Sequence, residues 1–132
     1  VYRELGRELG LAFQMVDDVV DVAGDPETAR KSLRTDLANG TVTLPMVHAA
    51  ELRPEHPAIE AFAAAADVDA GAQEALAELL ASEEVLRACS ASIDRHADAA
   101  LAALERLPSN AYAMGLADLV DYVRRGRWGG LG

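Results

Sequence analysis

The chain has 132 residues, enough for one domain-sized core that removes roughly two-thirds of the extended surface from water, and too few to presume two. Hydrophobic residues make up 51%, aromatics only 5% and charged residues 26%, which excludes a disordered chain and, with a single cysteine, a disulfide scaffold. Twelve basic against 22 acidic residues leave a formal charge of −10, so nucleic acid and anionic membrane surfaces are poor partners.

The first predicted helix runs from about Tyr2 to Ala23. It carries Leu9, Leu11, Phe13, Val16, Val19 and Val20 on almost every side, the pattern of a buried helix. No capping residue precedes it, so it reads as a helix entered midway and the chain as the trailing part of a longer protein. Gly24-Asp25-Pro26 stops it, and a polar loop is expected from Asp25 to Asn39-Gly40. Helices follow from Pro45 to about Leu52, across Ala58–Ala66 and across Gly71–Ala81, the first closed by Pro54 and Pro57, the later two rich in helix-favouring alanine. From Glu83 to Leu107 the apolar positions keep a period near 3.6, with Ser82 as N-cap and Pro108 as stop. Such a helix spans about 37 Å and needs long neighbours, of which this chain supplies few. Cys89 lies on its stripe and reads as a small buried thiol. A last helix covers about Asn110 to Arg125; no strand is expected.

No run approaches the 18 or so apolar residues that a membrane span needs, and the chain opens with Val1-Tyr2-Arg3-Glu4 rather than a basic and then hydrophobic leader. A reducing, cytoplasmic setting is the expectation.

The chemistry concentrates in Phe13-Gln14-Met15-Val16-Asp17-Asp18-Val19-Val20-Asp21. Asp21 lies four residues after Asp17 and three after Asp18, within helical reach of both. Two carboxylates about 6 Å apart at an effective dielectric near 20 repel by roughly 2–3 kcal/mol. No Lys or Arg occurs between Arg7 and Arg30, so a hard divalent ion with oxygen ligands, magnesium first, is the natural neutraliser. Three acids on a helix are most often a solvated face; here the flanking Val16, Val19, Val20 and Val22 argue that they face an internal cavity. Lys31, the only lysine, follows with Arg30 and Arg34. A carboxylate–metal cluster and a cationic segment together suit a diphosphate.

These stretches resemble the trans-type isoprenyl (polyprenyl) diphosphate synthases. Gly10 to Asp21 is similar to the family's second aspartate-rich motif with its preceding Phe-Gln. Lys31-Ser32-Leu33-Arg34-Thr35-Asp36-Leu37, Gly40 and Thr43-Leu44-Pro45 resemble its lysine loop and the Thr-Leu-Pro lead-in to the next helix. Ala99 to Pro108 and Leu116 to Val123 are similar to the closing helices. The resemblance implies an all-α helical bundle, residues 1–132 forming the C-terminal half of an isoprenoid-synthase-type domain without its N-terminal half. It further implies that Asp17, Asp18 and Asp21 hold Mg2+ on an allylic diphosphate, that Phe13 and Gln14 line the cavity, and that Lys31 contacts the diphosphate. Asp17, Asp18 and Lys31 would then be catalytic, in a magnesium-dependent head-to-tail condensation with isopentenyl diphosphate. The allylic C–O bond ionises, the isopentenyl double bond attacks the carbocation and a proton is lost; charge develops on the departing pyrophosphate, where the carboxylate–metal cluster acts. A homodimer of the full-length form is implied too.

Two departures stand out. The family's first aspartate-rich motif and the arginines after it have no match, so half the active site is absent and this chain alone is expected to be inactive. Thr41-Val42 stands where many members carry a second lysine. The alternatives are a non-catalytic helical subunit that binds or regulates a complete synthase, and an acidic helical module whose aspartates are structural. Ser90, Ser92, Asp94, His96 and Asp98 read as surface positions, since Ser92 and His96 share one helix without a glycine elbow. His48 and His56 are too isolated for zinc. The Gly6-x-x-x-Gly10 spacing signals close packing outside a membrane. The basic end, Arg124-Arg125-Gly126-Arg127, reads first as a frayed terminus and second as a cover for substrate phosphates.

Overall fold

In the computed structural model, which describes residues 1–125, every regular element is an α-helix. In chain order they are α1 (Tyr2–Ala23), α2 (Pro26–Asn39), α3 (Leu44–Leu52), α4 (Pro57–Ala63), α5 (Ala70–Leu80), α6 (Glu83–Glu105) and α7 (Ala111–Arg125). The all-α expectation is met. No helix among the described residues is long and apolar enough to cross a membrane.

The chain divides into two compact units, one of residues 1–17 with 90–125 and one of residues 18–89; α1 and α6 contribute to both. In the first, Leu5 of α1, Ala97, Ala100, Ala103 and Leu104 of α6 and Val120 of α7 form a buried cluster, with Leu9, Leu101 and Leu116 packed against it. Alanines on α6 allow close helix approach, and the larger side chains of α1 and α7 fill the seam. Ion pairs rim it: Arg106 with Glu4, and Arg124 with Asp98. In the second unit α5 packs against α2, α3 and α4, with Leu76 and Leu80 fully buried.

Three expectations are corrected. Residues 26–39 form a helix, not a loop. Asp25 caps it, its carboxylate accepting the Thr28 N–H and hydroxyl, each at 2.9 Å; Pro26 sits where a helix tolerates proline. Gly40, in the left-handed conformation (φ +67°), ends it, with Gly40 N–H donating to the Leu37 carbonyl and Thr41 N–H to the Asp36 carbonyl. The polar composition concealed a narrow inward face: Leu33 is buried and Ala29, Ser32, Asp36 and Leu37 are half-buried.

Second, α1 is amphipathic rather than buried all round. Leu5, Ala12 and Val19 are buried, but Tyr2, Phe13 and Val20 are exposed. Third, α6 is covered along its length. Val85, Cys89, Ile93, Ala97 and Ala100 have no accessible surface, so the stripe finds its partners within this chain. Ser82 does cap α6, its hydroxyl accepting the Val85 N–H at 3.4 Å. α4 stops at Ala63, earlier than its alanine run suggested, because Ala65 adopts φ +53° and its N–H donates to the Phe62 carbonyl while that of Ala66 donates to the Ala61 carbonyl.

Candidate functional site

The aspartate motif occupies the last turns of α1. Asp17 and Asp21 are exposed and Asp18 is half-buried beside fully buried Val19. Phe13 and Gln14, one turn earlier, are exposed. The side chain of Asp18 points to a specific partner: Oδ2 accepts the backbone N–H of Leu44, the first residue of α3, at 3.1 Å. Two segments picked out separately in the sequence, the aspartate motif and Thr43-Leu44-Pro45, are thus joined 26 positions apart.

A third residue belongs to this cluster, and sequence reasoning passed over it. Asp36, in the last turn of α2, is half-buried and its carboxyl is pushed above the usual carboxylate range, first by burial and then by the negative charge of Asp18. Its signal was its spacing from Ala29 and Leu33 on one helical face, invisible once the segment was read as a loop. Asp18 also acts on Cys89. The buried thiol is pushed up to about 12, mainly by burial and secondarily by that same carboxylate, so at neutral pH it stays a protonated, inert thiol.

Lys31 is exposed on α2, its carbonyl accepting the Thr35 hydroxyl at 3.1 Å. Of the two arginines that flank it, Arg30 is committed elsewhere. Its Nε and Nη2 grip the Glu74 carboxylate of α5 at 2.7 and 2.5 Å, which raises the guanidinium pKa and lowers that of the carboxyl. Arg30 therefore fastens α2 to α5, and the cationic segment presents Lys31 and Arg34.

Among the described residues no three His, Cys, Asp or Glu side chains are grouped so that they alone could hold a metal ion. The donor chemistry nonetheless suits magnesium. That ion keeps several waters and is held through one or two carboxylates together with substrate phosphates rather than in an all-protein cage, and Asp17 and Asp21 are exposed carboxylate residues of that kind.

The discounted side chains on α6 are not all at the surface. Ser92 is buried, its hydroxyl accepting from Arg95 at 3.0 Å, and His96 Nδ1 lies 2.6 Å from Glu8 Oε2 of α1. His96 is thus turned to a carboxylate of α1, while the Ser92 hydroxyl accepts from Arg95 on its own helix. His48 lies 3.2 Å from Glu51, and His56 caps α4 by accepting the Ala58 N–H at 3.2 Å. Of the basic end, Arg124 is tied to Asp98 and Arg125 is exposed; Gly126 and Arg127 lie outside the described residues.

Comparison with known proteins agrees with the motifs. The family model described as polyprenyl synthetase matches residues 1–81. The chain is 34% identical over 120 residues to octaprenyl diphosphate synthase of Haemophilus influenzae, covering 89% of this chain and 36% of that protein. It is 31% identical over 118 residues to heptaprenyl diphosphate synthase component 2 of Geobacillus stearothermophilus, with 89% and 36% covered. Over 104 residues it is 38% identical to geranylgeranyl diphosphate synthase of Mycobacterium tuberculosis, with 75% and 29% covered. The chain spans about a third of the length of these relatives. With a family model matching more than half its residues, and with the aspartate motif joined to the Thr-Leu-Pro segment, the chain belongs to the polyprenyl synthetase family.

Proposed function

We propose that this chain supplies the second aspartate-rich half-site of a magnesium-dependent polyprenyl diphosphate synthase, which condenses an allylic diphosphate head-to-tail with isopentenyl diphosphate. The observation that carries the reading is the Asp18–Leu44 contact, which ties an aspartate of the motif to the segment that follows the lysine helix, both within the unit of residues 18–89. Asp17 and Asp21 are exposed and would hold the ion, directly or through water, while half-buried Asp18 accepts the Leu44 N–H. Lys31, a compact cation on an exposed turn of α2, takes up diphosphate charge that the ion leaves uncompensated. Magnesium, when bound, neutralises the charge that grows on the leaving pyrophosphate as the allylic C–O bond breaks. Phe13 and Gln14, one turn before the carboxylates, would border the bound substrate. Homodimerisation of the full-length form is part of this reading.

The test is magnesium-dependent binding of an allylic diphosphate, with condensation measured on the protein that carries this chain. Asp17→Ala and Lys31→Ala should each weaken binding and lower turnover by at least about tenfold, the loss of one charge-assisted contact. Variants as active as the parent remove both residues from the mechanism. A second reading, a subunit that works with a separate partner chain, is favoured by one relative's name, a component of heptaprenyl diphosphate synthase; the upstream coding sequence separates the two. Another aspartate-rich motif followed by arginines in that upstream sequence supports the single-chain enzyme.

A further inference from the structure

The opening of α3 lacks the usual side-chain cap. Thr43 sits at the N-cap in an extended conformation but makes no side-chain cap hydrogen bond, and Pro45 has no N–H to offer. The Leu44 N–H is one of the donors such a terminus leaves without an intrahelical partner, and it is taken by Asp18 of α1 at 3.1 Å. A carboxylate there is doubly suited, as an acceptor and as a negative charge at the positive end of the helix dipole. The turn that leads into α3 is held at its other end as well. Gly40 at φ +67° and the Thr41 N–H to Asp36 carbonyl bond of 2.9 Å close α2, so only residues 41–43 separate that closure from α3.

We infer that Asp18 is a positioning residue: its carboxylate fastens the start of α3 to α1 and, through the short 41–43 link, sets where α2 and Lys31 stand in the unit formed by residues 18–89. This deepens the proposed function and rests on it only for its consequence at the diphosphate. The requirement at Asp18 is an oxygen acceptor, which asparagine also provides, whereas a direct metal ligand must supply charge.

The experiment compares the 132-residue chain with Asp18→Ala, Asp18→Asn and Asp17→Asn. The first readout is Leu44 amide hydrogen exchange by NMR in metal-free buffer. Asp18→Ala should speed it by about tenfold, Asp18→Asn should stay within about threefold of the parent, and Asp17→Asn should leave it unchanged. The second is affinity for magnesium with inorganic pyrophosphate by calorimetry. Asp18→Asn should keep most of the parent affinity that Asp17→Asn loses. Leu44 exchange unaltered in Asp18→Ala, or an Asp18→Asn chain as weak for pyrophosphate as Asp17→Asn, overturns the inference. If Asp18→Ala does not fold, the asparagine variant decides by itself, since exchange at Leu44 much faster than in the parent contradicts an acceptor-only requirement. A parent chain that binds no magnesium pyrophosphate defeats the proposed function, while Leu44 exchange still decides the role of Asp18.

Discussion

Replacing Asp17 by asparagine should move stability in opposite directions with and without magnesium pyrophosphate. Asp17 and Asp21 lie one turn apart on α1 and both are exposed, so water screens their repulsion. Like charges at this spacing on a helix surface cost about 0.2–0.5 kcal/mol, well below the 2–3 kcal/mol that a buried setting would give. In metal-free buffer Asp17→Asn should therefore raise the melting temperature by about 1–2 °C for a chain of this size. With magnesium pyrophosphate at roughly 100 times its dissociation constant, the parent should gain about 2.7 kcal/mol, near 10 °C, and the variant only a fraction of it. Thermal melts by circular dichroism under the two conditions measure both terms. A variant destabilised without metal would show that Asp17 holds a structural contact. One that gains as much as the parent from magnesium pyrophosphate would refute the assignment of Asp17 to the ion.

Two further predictions concern the groups around Asp18. Burial and the Asp18 charge raise the folded pKa of Asp36 above its unfolded value, so its contribution to stability is present below about pH 4 and lost as pH rises through the folded pKa. Asp36→Asn should accordingly raise the urea midpoint at pH 7, with the gain shrinking toward pH 4; a lower midpoint at pH 7 would contradict the burial argument. Cys89, raised from 9.0 to about 12, should resist a thiol-specific disulfide reagent at pH 8 in the native chain and react promptly in denaturant, and its stabilising share should fade between about pH 9 and 12. Rapid native labelling would show that the packing around Cys89 opens far more often than its burial implies.

Much of the helical order was legible because its signals are local. Ser82 before Glu83, the 3.6 period through Val85, Cys89, Ile93 and Ala97, and the Pro54 and Pro57 breaks each act within a turn or two of the chain. The same holds for the aspartate motif, whose spacing alone places Asp17 and Asp21 one turn apart. The α2 segment failed because Leu33 is the one buried residue of a face that otherwise carries Ala29, Ser32, Asp36 and Leu37, and its ends are set by the Asp25 cap and the Gly40 closure rather than announced by an apolar stripe. The buried reading of α1 failed because valines near the acids do not by themselves separate a core position from an exposed one: Val19 is fully buried while adjacent Val20 is exposed.

The sequence by itself determined that this is an all-helical chain with a carboxylate cluster followed by its sole lysine, since residue types and their spacing carry that information directly. Only the tertiary structure decided what each charge does. Arg30 is spent on Glu74, Asp36 is held half-buried within the field of the Asp18 charge, and Asp18 accepts the Leu44 N–H. Such pairings span tens of residues and depend on which backbone donors a helix end leaves unsatisfied once neighbouring helices have packed, a quantity that no local window contains.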